Sequence, residues 1–316
     1  LAVEAIKKEA KNVNFYPEGS NKLLREKLAQ RLNLDKEMII LANGADNIID
    51  LLGLAFINKG DEIIMGEVTF PTYESVVKIM GGKIISAKLK DYTYNLEEIA
   101  RRVNERTKLI IVCNPNNPTG TIVTKEAVDK LMEDVPEDVI VVFDEAYCDY
   151  VENENYPDSL FYVREGKNVI VIRTFSKIAG LAGLRIGYAI AKQELIGYLK
   201  RVVDVFPVNR LAQAAALASL DDEEHRRKIL RLNKEGKEYL YSELKRLGLF
   251  YVPTETNFIF IDLKKDTKVI FEKLLKKGVI IRPGKTWGCP NFIRVTIGTP
   301  YENKKFIQAL KEVLTS

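Results

Sequence analysis

Six short runs of apolar, largely β-branched residues recur through the first part of the chain, and they limit the possible folds more than any other feature. They are MIIL at 38–41, DEIIMG at 61–66, KIISAKL at 83–89, KLIIVC at 108–113, DVIVVFDE at 138–145 and NVIVIRTFS at 168–176. Most are separated by stretches with helical periodicity, such as ADNIIDLLGLAFINKG and TKEAVDKLMEDV. Strands alternating with helices predict a mostly parallel sheet with helices on both faces, and strands that are apolar without alternation fit burial on both sides. The pattern changes after about residue 205. A long helical stretch runs from roughly 209 to 247, followed by LFYVPTETNFIFIDL, a helix KVIFEKLLKKG, strands VIIRP and FIRVTIG, and a closing helix. That order predicts a smaller α+β domain. The expected division is residues 1–30 as the N-terminal part of the small domain, 31–210 as the large domain and 211–316 as the C-terminal small domain.

Composition narrows the functional classes. The 316 residues are 46% hydrophobic and 29% charged, as in a soluble globular protein with a large core. No apolar run is long enough to span a membrane, and the first residues, LAVEAIKKEAKNVNFYPEGS, have neither a signal-type apolar core nor a cleavage-type site. There is also no initiator Met, so the native N-terminus is expected to lie upstream. A net charge of +4, with signs alternating along EEHRRKILRLNKEGKEYLYSELKRLG, reads as a solvated helix face and not as a nucleic-acid surface. Cys113, Cys148 and Cys289 lie far apart without metal-ligand spacing, which suggests a reducing, cytoplasmic compartment and no bound metal. The only histidine, His225, falls in a charged helix read as exposed, which argues against a His-based triad or a multi-His metal site.

Ligands of open α/β sheets gather at the carboxyl ends of strands, so the residues after each run carry the functional information. After MIIL comes ANGADNII, where Gly44 permits a tight turn and Ala45 and Asp46 open a helix whose free N–H groups suit a phosphate. Alone, this segment reads as an ordinary helix start capped by Asn43 or Asp46. After KLIIVC comes NPNNPTG at 114–120, a rigid turn that aims side-chain amides. After DVIVVF comes Asp144, a carboxylate at a buried strand end that needs a partner, with Tyr147 three residues on. A helix N-cap would account for that aspartate equally well. After NVIVIR comes TFSKIAGLAGLRIGY, with Lys177 among small and apolar residues, beside Thr174 and Ser176 and near Arg185. Desolvation and the like charge both disfavour its ammonium, and a neutral amine is a nucleophile toward aldehydes; a plain surface lysine is the alternative. An anion cradle, an amide, a carboxylate with a phenol, and a lysine with hydroxyls and an arginine together form the inventory that pyridoxal phosphate requires.

The motifs YPEGSNKLLREKLA, NGADNII, PTY, NPNNPTG, DEAY, RTFSKIAGLAGLRIGY, FPVNRLAQAAALA, NFIFIDL and IIRPGKTWGCPNFIRVTIGTPYEN span nearly the whole chain. On them the sequence resembles the fold-type I pyridoxal-phosphate aminotransferases, most closely the histidinol-phosphate aminotransferases. The resemblance implies an α/β fold with a mostly parallel, seven-stranded-type sheet between helices, plus the smaller α+β domain. It implies that Lys177 bonds to the cofactor aldehyde and later moves the proton at the substrate Cα. Asp144 would pair with the ring nitrogen, Asn117 and Tyr147 would bond the ring hydroxyl oxygen, and Tyr73 of PTY would stack on the ring. Ala45, Asp46, Thr174, Ser176 and Arg185 would hold the cofactor phosphate, joined by Tyr16 from the other subunit of a homodimer with its site at the interface. Arg294 would bind the glutamate carboxylate and Arg282 the phosphate of histidinol phosphate, with Asn117 also against substrate. Asn209 and Asn257 match family positions near the cleft without a catalytic assignment. The family usually begins with an arm bearing an LNENP-like segment, which helps cover the substrate and grips the partner; this sequence starts after that point, a departure from the family pattern.

The implied reaction is a reversible exchange of histidinol phosphate and 2-oxoglutarate for imidazole acetol phosphate and glutamate. Three related readings share much of the machinery or the fold. These are an aminotransferase for aromatic amino acids, a threonine-phosphate decarboxylase-like enzyme, and a ligand-sensing domain of a transcription regulator, for which no helix-turn-helix precedes residue 15. A nicotinamide-dependent dehydrogenase is disfavoured because no G-x-G-x-x-G follows the first strand.

Overall fold

The computed structural model describes residues 1–315. Its strands are β1 (Ile39–Ala42), β2 (Glu62–Gly66), β3 (Lys83–Ala87), β4 (Thr107–Cys113), β5 (Ile140–Asp144), β6 (Val169–Thr174), β7 (Gly187–Ala191), β8 (Phe250–Val252), β9 (Phe258–Asp262), β10 (Arg282–Pro283) and β11 (Phe292–Thr296). The helices are α1 (Ala2–Glu9), α2 (Lys22–Leu32), α3 (Ala45–Phe56), α4 (Pro71–Ile79), α5 (Leu96–Arg101), α6 (Lys125–Asp134), α7 (Ser159–Arg164), α8 (Gln193–Lys200), α9 (Arg210–Ser219), α10 (Glu223–Arg246), α11 (Thr267–Lys276) and α12 (Pro300–Thr315).

β1 to β7 form one seven-stranded sheet in the order β1-β7-β6-β5-β4-β2-β3, parallel except for β7, which runs against both neighbours. The sheet is mixed at one edge only; β2, β5 and β7 are buried along their whole length and β4 everywhere but at Lys108, as expected for strands covered on both faces. Because β7 is antiparallel to both β1 and β6, those two strands point the same way. The carboxyl ends of β1, β4, β5 and β6 therefore share one edge of the sheet. Register sharpens this: Gly187 at the start of β7 lies opposite both Ala42 and Thr174, and Asp144 lies opposite both Cys113 and Ile172.

β8 to β11 form a four-stranded antiparallel sheet in the order β10-β11-β9-β8. Its alternation is clean. Ile259, Ile261, Ile293 and Val295 form a core with Leu240 and Leu244 of α10, Leu274 of α11 and Leu310 of α12. The residues between them point to the large domain, among them Phe258 against Tyr147 and Phe260 in a cluster with Val252, Trp287 and Tyr92.

Three expectations are corrected. The helical stretch from 209 to 247 is broken between Ser219 and Glu223, because Asp222 caps α10 by accepting from His225 N–H at 3.2 Å, and Glu223 and Glu224 favour a helix start there. The N-terminal segment does not join the small domain's core. Leu24, Leu28 and Ala29 of α2 lie in the large core, with Ala2 and Ile6 of α1 packed against it, and so do Ala212, Ala215 and Ala216 of α9. Alanines along α9 let helices approach closely, and Arg210 pairs with Glu9 at 2.7 Å where α1 crosses. His225 is also not free on a helix surface: its Nε2 lies 3.2 Å from the carbonyl oxygen of Ile178.

Candidate active site

The shared strand edge opens into a cavity of about 210 Å3 whose walls include Asp46, Asn117, Asp144, Lys177, Arg185 and Arg294. Thus residues from four strand ends of the large domain and one strand of the small domain meet in one place. Ala45, Tyr147, Thr174 and Ser176, also predicted for the site, line the same cavity.

Each polar group has an identifiable support. Asp144 ends β5, 4% exposed, where Tyr73 donates its hydroxyl to Oδ2 at 2.5 Å and the Ala146 N–H donates to Oδ1 at 3.1 Å. Burial pushes its pKa up, while these two bonds pull it down. Lys177 Nζ sits 4.9 Å from the centre of the Tyr147 ring. Burial, aided by the Arg294 charge, holds its ammonium below the ordinary lysine range, against the opposing pull of Asp144. The amine is therefore easier to obtain neutral than that of a surface lysine. Tyr147 meets Phe258 edge-on at 5.0 Å, and burial raises its phenol pKa, so it acts as a neutral hydrogen-bonding group.

The anion end is built from backbone as much as from side chains. Gly44 precedes α3 with φ 89°, and no side chain caps that helix, so its first N–H groups face the cleft without an internal acceptor. A Cβ on Gly44 would stand 2.5 Å from Arg185 Nη2, and one on Gly187 would stand 2.5 Å from the Ala45 nitrogen. Both glycines keep room for the guanidinium and the helix start. Arg185, itself left-handed at φ 54°, pairs with Asp46 at 3.0 Å. Thr174 Oγ1 accepts the Ser176 N–H at 3.1 Å, which turns the chain toward Lys177. Uncapped N–H groups, two hydroxyls and a guanidinium at one end, with an amine and a buried carboxylate at the other, fit pyridoxal phosphate.

Arg294 lies on β11, facing the large domain. It donates to Asn117 Oδ1 at 2.5 Å, and its guanidinium rests 4.9 Å from the Phe258 ring and 5.5 Å from the Trp287 ring. Burial, and further the Arg282 charge, lower its pKa, although it stays protonated throughout the working range. Arg282 is its cross-strand neighbour, exposed at the sheet edge. Sequence and structure part at two aromatic residues. Tyr73 lies under Asp144 as its hydrogen-bond donor, 1% exposed, and Phe70 supplies the aromatic wall of the cavity instead. Phe70 and Cys113 both line the site and were not anticipated; Phe70 stands just before the predicted PTY turn, which was the available signal. Tyr16 is away from this cavity in its own chain, 78% exposed and stacked on Phe206 at 4.7 Å. Asn209 caps α9 and donates to the Leu184 carbonyl at 3.0 Å, and the carbonyl of Asn257 accepts from Ile297 at 2.8 Å.

Residues 2–310 match the family described as aminotransferase class I and II. The chain belongs to that family. Among its aminotransferase relatives, the histidinol-phosphate aminotransferase of Moorella thermoacetica is 49% identical over 314 residues, covering 99% of this chain and 81% of that protein. The enzyme of the same name from Caldicellulosiruptor saccharolyticus is 47% identical, covering 98% of this chain and 87% of that one. The crystal structure of histidinol-phosphate aminotransferase from Sinorhizobium meliloti in complex with pyridoxal-5'-phosphate superposes with a TM-score of 0.94 at 26% identity, covering 99% of this chain and 86% of that chain. This aminotransferase has the fold-type I architecture, and no helix among its described residues is long and apolar enough to cross a membrane.

Proposed function

We propose that this aminotransferase exchanges histidinol phosphate and 2-oxoglutarate for imidazole acetol phosphate and glutamate, using pyridoxal 5'-phosphate in the cytoplasm. The observation that carries the reading is the convergence in one cleft of an amine biased toward neutrality, Lys177, a buried carboxylate, Asp144, and two guanidiniums, Arg185 and Arg294. The identity of 49% with a histidinol-phosphate aminotransferase supports the choice of substrate.

When bound, the cofactor supplies an aldehyde that condenses with amines and a ring that takes up the electron pair left at Cα when a proton departs. The chain does the rest. The first N–H groups of α3, with Thr174, Ser176 and Arg185, would hold the phosphate. Asp144 would hold the ring nitrogen and favour its protonated state, because a carboxylate this buried gains most from a cationic partner. Asn117 and Tyr147 orient the ring hydroxyl oxygen. Lys177 Nζ would take the proton from Cα and return it to the former aldehyde carbon, two bonds away across the nitrogen, since an amine with a lowered pKa serves as base and then as acid. Arg294 receives the carboxylate of glutamate or 2-oxoglutarate in a planar, two-bond fit, and Arg282 beside it meets the phosphate of histidinol phosphate. Tyr16, exposed on its own subunit, reaches the cofactor phosphate of the partner in a homodimer.

Turnover by the purified holoenzyme, with 2-oxoglutarate as acceptor, tests the substrate. We expect strong preference for histidinol phosphate over phenylalanine. A large preference for phenylalanine, or carbon dioxide release from threonine phosphate, contradicts the reading.

A further inference from the structure

A strained two-residue turn joins the cleft loop to the small domain, and no role given above accounts for it. Lys90 and Thr93 pair across the turn through two backbone hydrogen bonds of 2.9 Å each, and both residues between them are left-handed, Asp91 at φ 49° and Tyr92 at φ 63°. This backbone shape ordinarily takes Asn-Gly or Asp-Gly. A tyrosine with positive φ is sterically disfavoured and persists only where the surroundings hold it.

Two sets of contacts hold Tyr92. Its carbonyl accepts from Thr121 Oγ1 at 2.9 Å; Thr121 Oγ1 lies 2.9 Å from Thr119 Oγ1, which accepts from Asn116 Nδ2 at 2.9 Å. That series ends on the residue beside Asn117. Its ring lies 5.5 Å from Phe250 and 5.8 Å from Phe292. Phe250 and Phe292 are both opposite Asp262, so the three form one row across the small sheet, and the next row on the same face is Val252, Phe260 and Arg294. Phe292 stacks on Phe260 at 4.5 Å, Phe260 meets Trp287 edge-on at 6.1 Å, and Arg294 rests 5.5 Å from the Trp287 ring. Asn117 and Arg294 are the two partners of the 2.5 Å bond at the cleft. Arg294 and Asn116, the neighbour of Asn117, are thus tied, through separate contacts, to one strained residue.

We infer that Tyr92 is a positioning residue for Arg294, holding its guanidinium in place through the Phe292, Phe260 and Trp287 rings on one side and the NPNNPTG loop on the other. The inference rests on the reading of Arg294 as the carboxylate-binding group. Tyr92 does not touch substrate, and histidinol phosphate has no carboxylate. Its effect therefore falls on the glutamate and 2-oxoglutarate half of the reaction.

The test uses the holoenzyme with each half-reaction measured separately. The contacts are made by the ring and the carbonyl, so Tyr92→Phe should match the parent. Tyr92→Ala and Tyr92→Gly should each raise KM for 2-oxoglutarate by roughly 5- to 20-fold, with kcat and the KM for histidinol phosphate within about two-fold. Tyr92→Gly relieves the turn while removing the ring, so it should melt higher than Tyr92→Ala yet show the same KM rise. Arg294→Lys combined with Tyr92→Ala should lose no more than Arg294→Lys alone, as residues acting through one contact are not additive. Unchanged KM in both ring-deleted variants, or equal losses in both half-reactions, overturns the inference. An Arg294→Lys enzyme with parental KM for 2-oxoglutarate removes the reading of Arg294 itself, and the inference with it.

Discussion

At the scale of single residues, the Asp144 carboxylate is pulled in two directions. Burial raises its pKa, while the Tyr73 hydroxyl at 2.5 Å and the Ala146 N–H lower it. In the cofactor-free protein a carboxyl whose folded pKa exceeds its unfolded one stabilises the fold below the unfolded value and loses that contribution as pH rises through the folded value. Tyr73→Phe pushes the pKa higher by removing a bond to the charged form. We expect the variant to lose about 1.5–3 kcal/mol at pH 7, and less near pH 4, since the carboxyl takes up its proton as pH falls. Urea unfolding of the cofactor-free protein at both pH values checks this; an equal or larger loss in acid contradicts it. Lys177 and Asp144 were legible in the sequence because each follows an apolar run with a polar group where a strand must end. Tyr73 was misread because its ring and its hydroxyl suit different roles. Only the packing of α4 decides that the hydroxyl turns inward to Asp144 and leaves the cavity wall to Phe70.

At the scale of elements, register builds the anion end. Gly187 lies between Ala42 and Thr174 across three strands, so the start of α3 and the TFSK segment converge without a long loop. Gly44→Ala adds a methyl 2.5 Å from Arg185 Nη2 at φ 89°, where an L-residue is already strained. We expect cofactor affinity to fall by roughly tenfold or more, with stability lowered by about 1–2 kcal/mol. Titration of cofactor-free protein with pyridoxal phosphate, followed by absorbance, measures this; parental affinity contradicts it. The strands themselves were readable because fully buried strands need unbroken apolar runs. The break between α9 and α10 was not, since Asp221 and Asp222 sit inside a stretch whose helical periodicity continues on both sides, and a cap competes with that periodicity only weakly.

At the scale of the whole molecule, two cores meet across the cleft, and the cavity takes residues from both sides, Lys177 from one and Arg294 from the other. The large core takes in α1, α2 and α9, while the small core belongs to α10, α11 and α12 with the four-stranded sheet. Assigning the first helices to the wrong core is what one sequence invites: an amphipathic helix shows that a face is buried, but not against what. Val13, Phe15, Tyr16, Val205 and Phe206 stay exposed on one subunit, as expected if a second copy covers them. Tyr16→Phe should therefore weaken cofactor retention while leaving the dimer intact, measured by dialysis of the holoenzyme alongside sedimentation. Unchanged retention removes the proposed role in the partner's site.

The functional reading depends on a covalent bond between the Lys177 amine and the cofactor aldehyde. Loading the protein with pyridoxal phosphate, reducing with borohydride and mapping the labelled peptide by mass spectrometry tests it directly. The account predicts the label on the peptide carrying Lys177, and none at that position in Lys177→Ala. Loaded protein that stays colourless, with Lys177 unmodified after reduction, would contradict it.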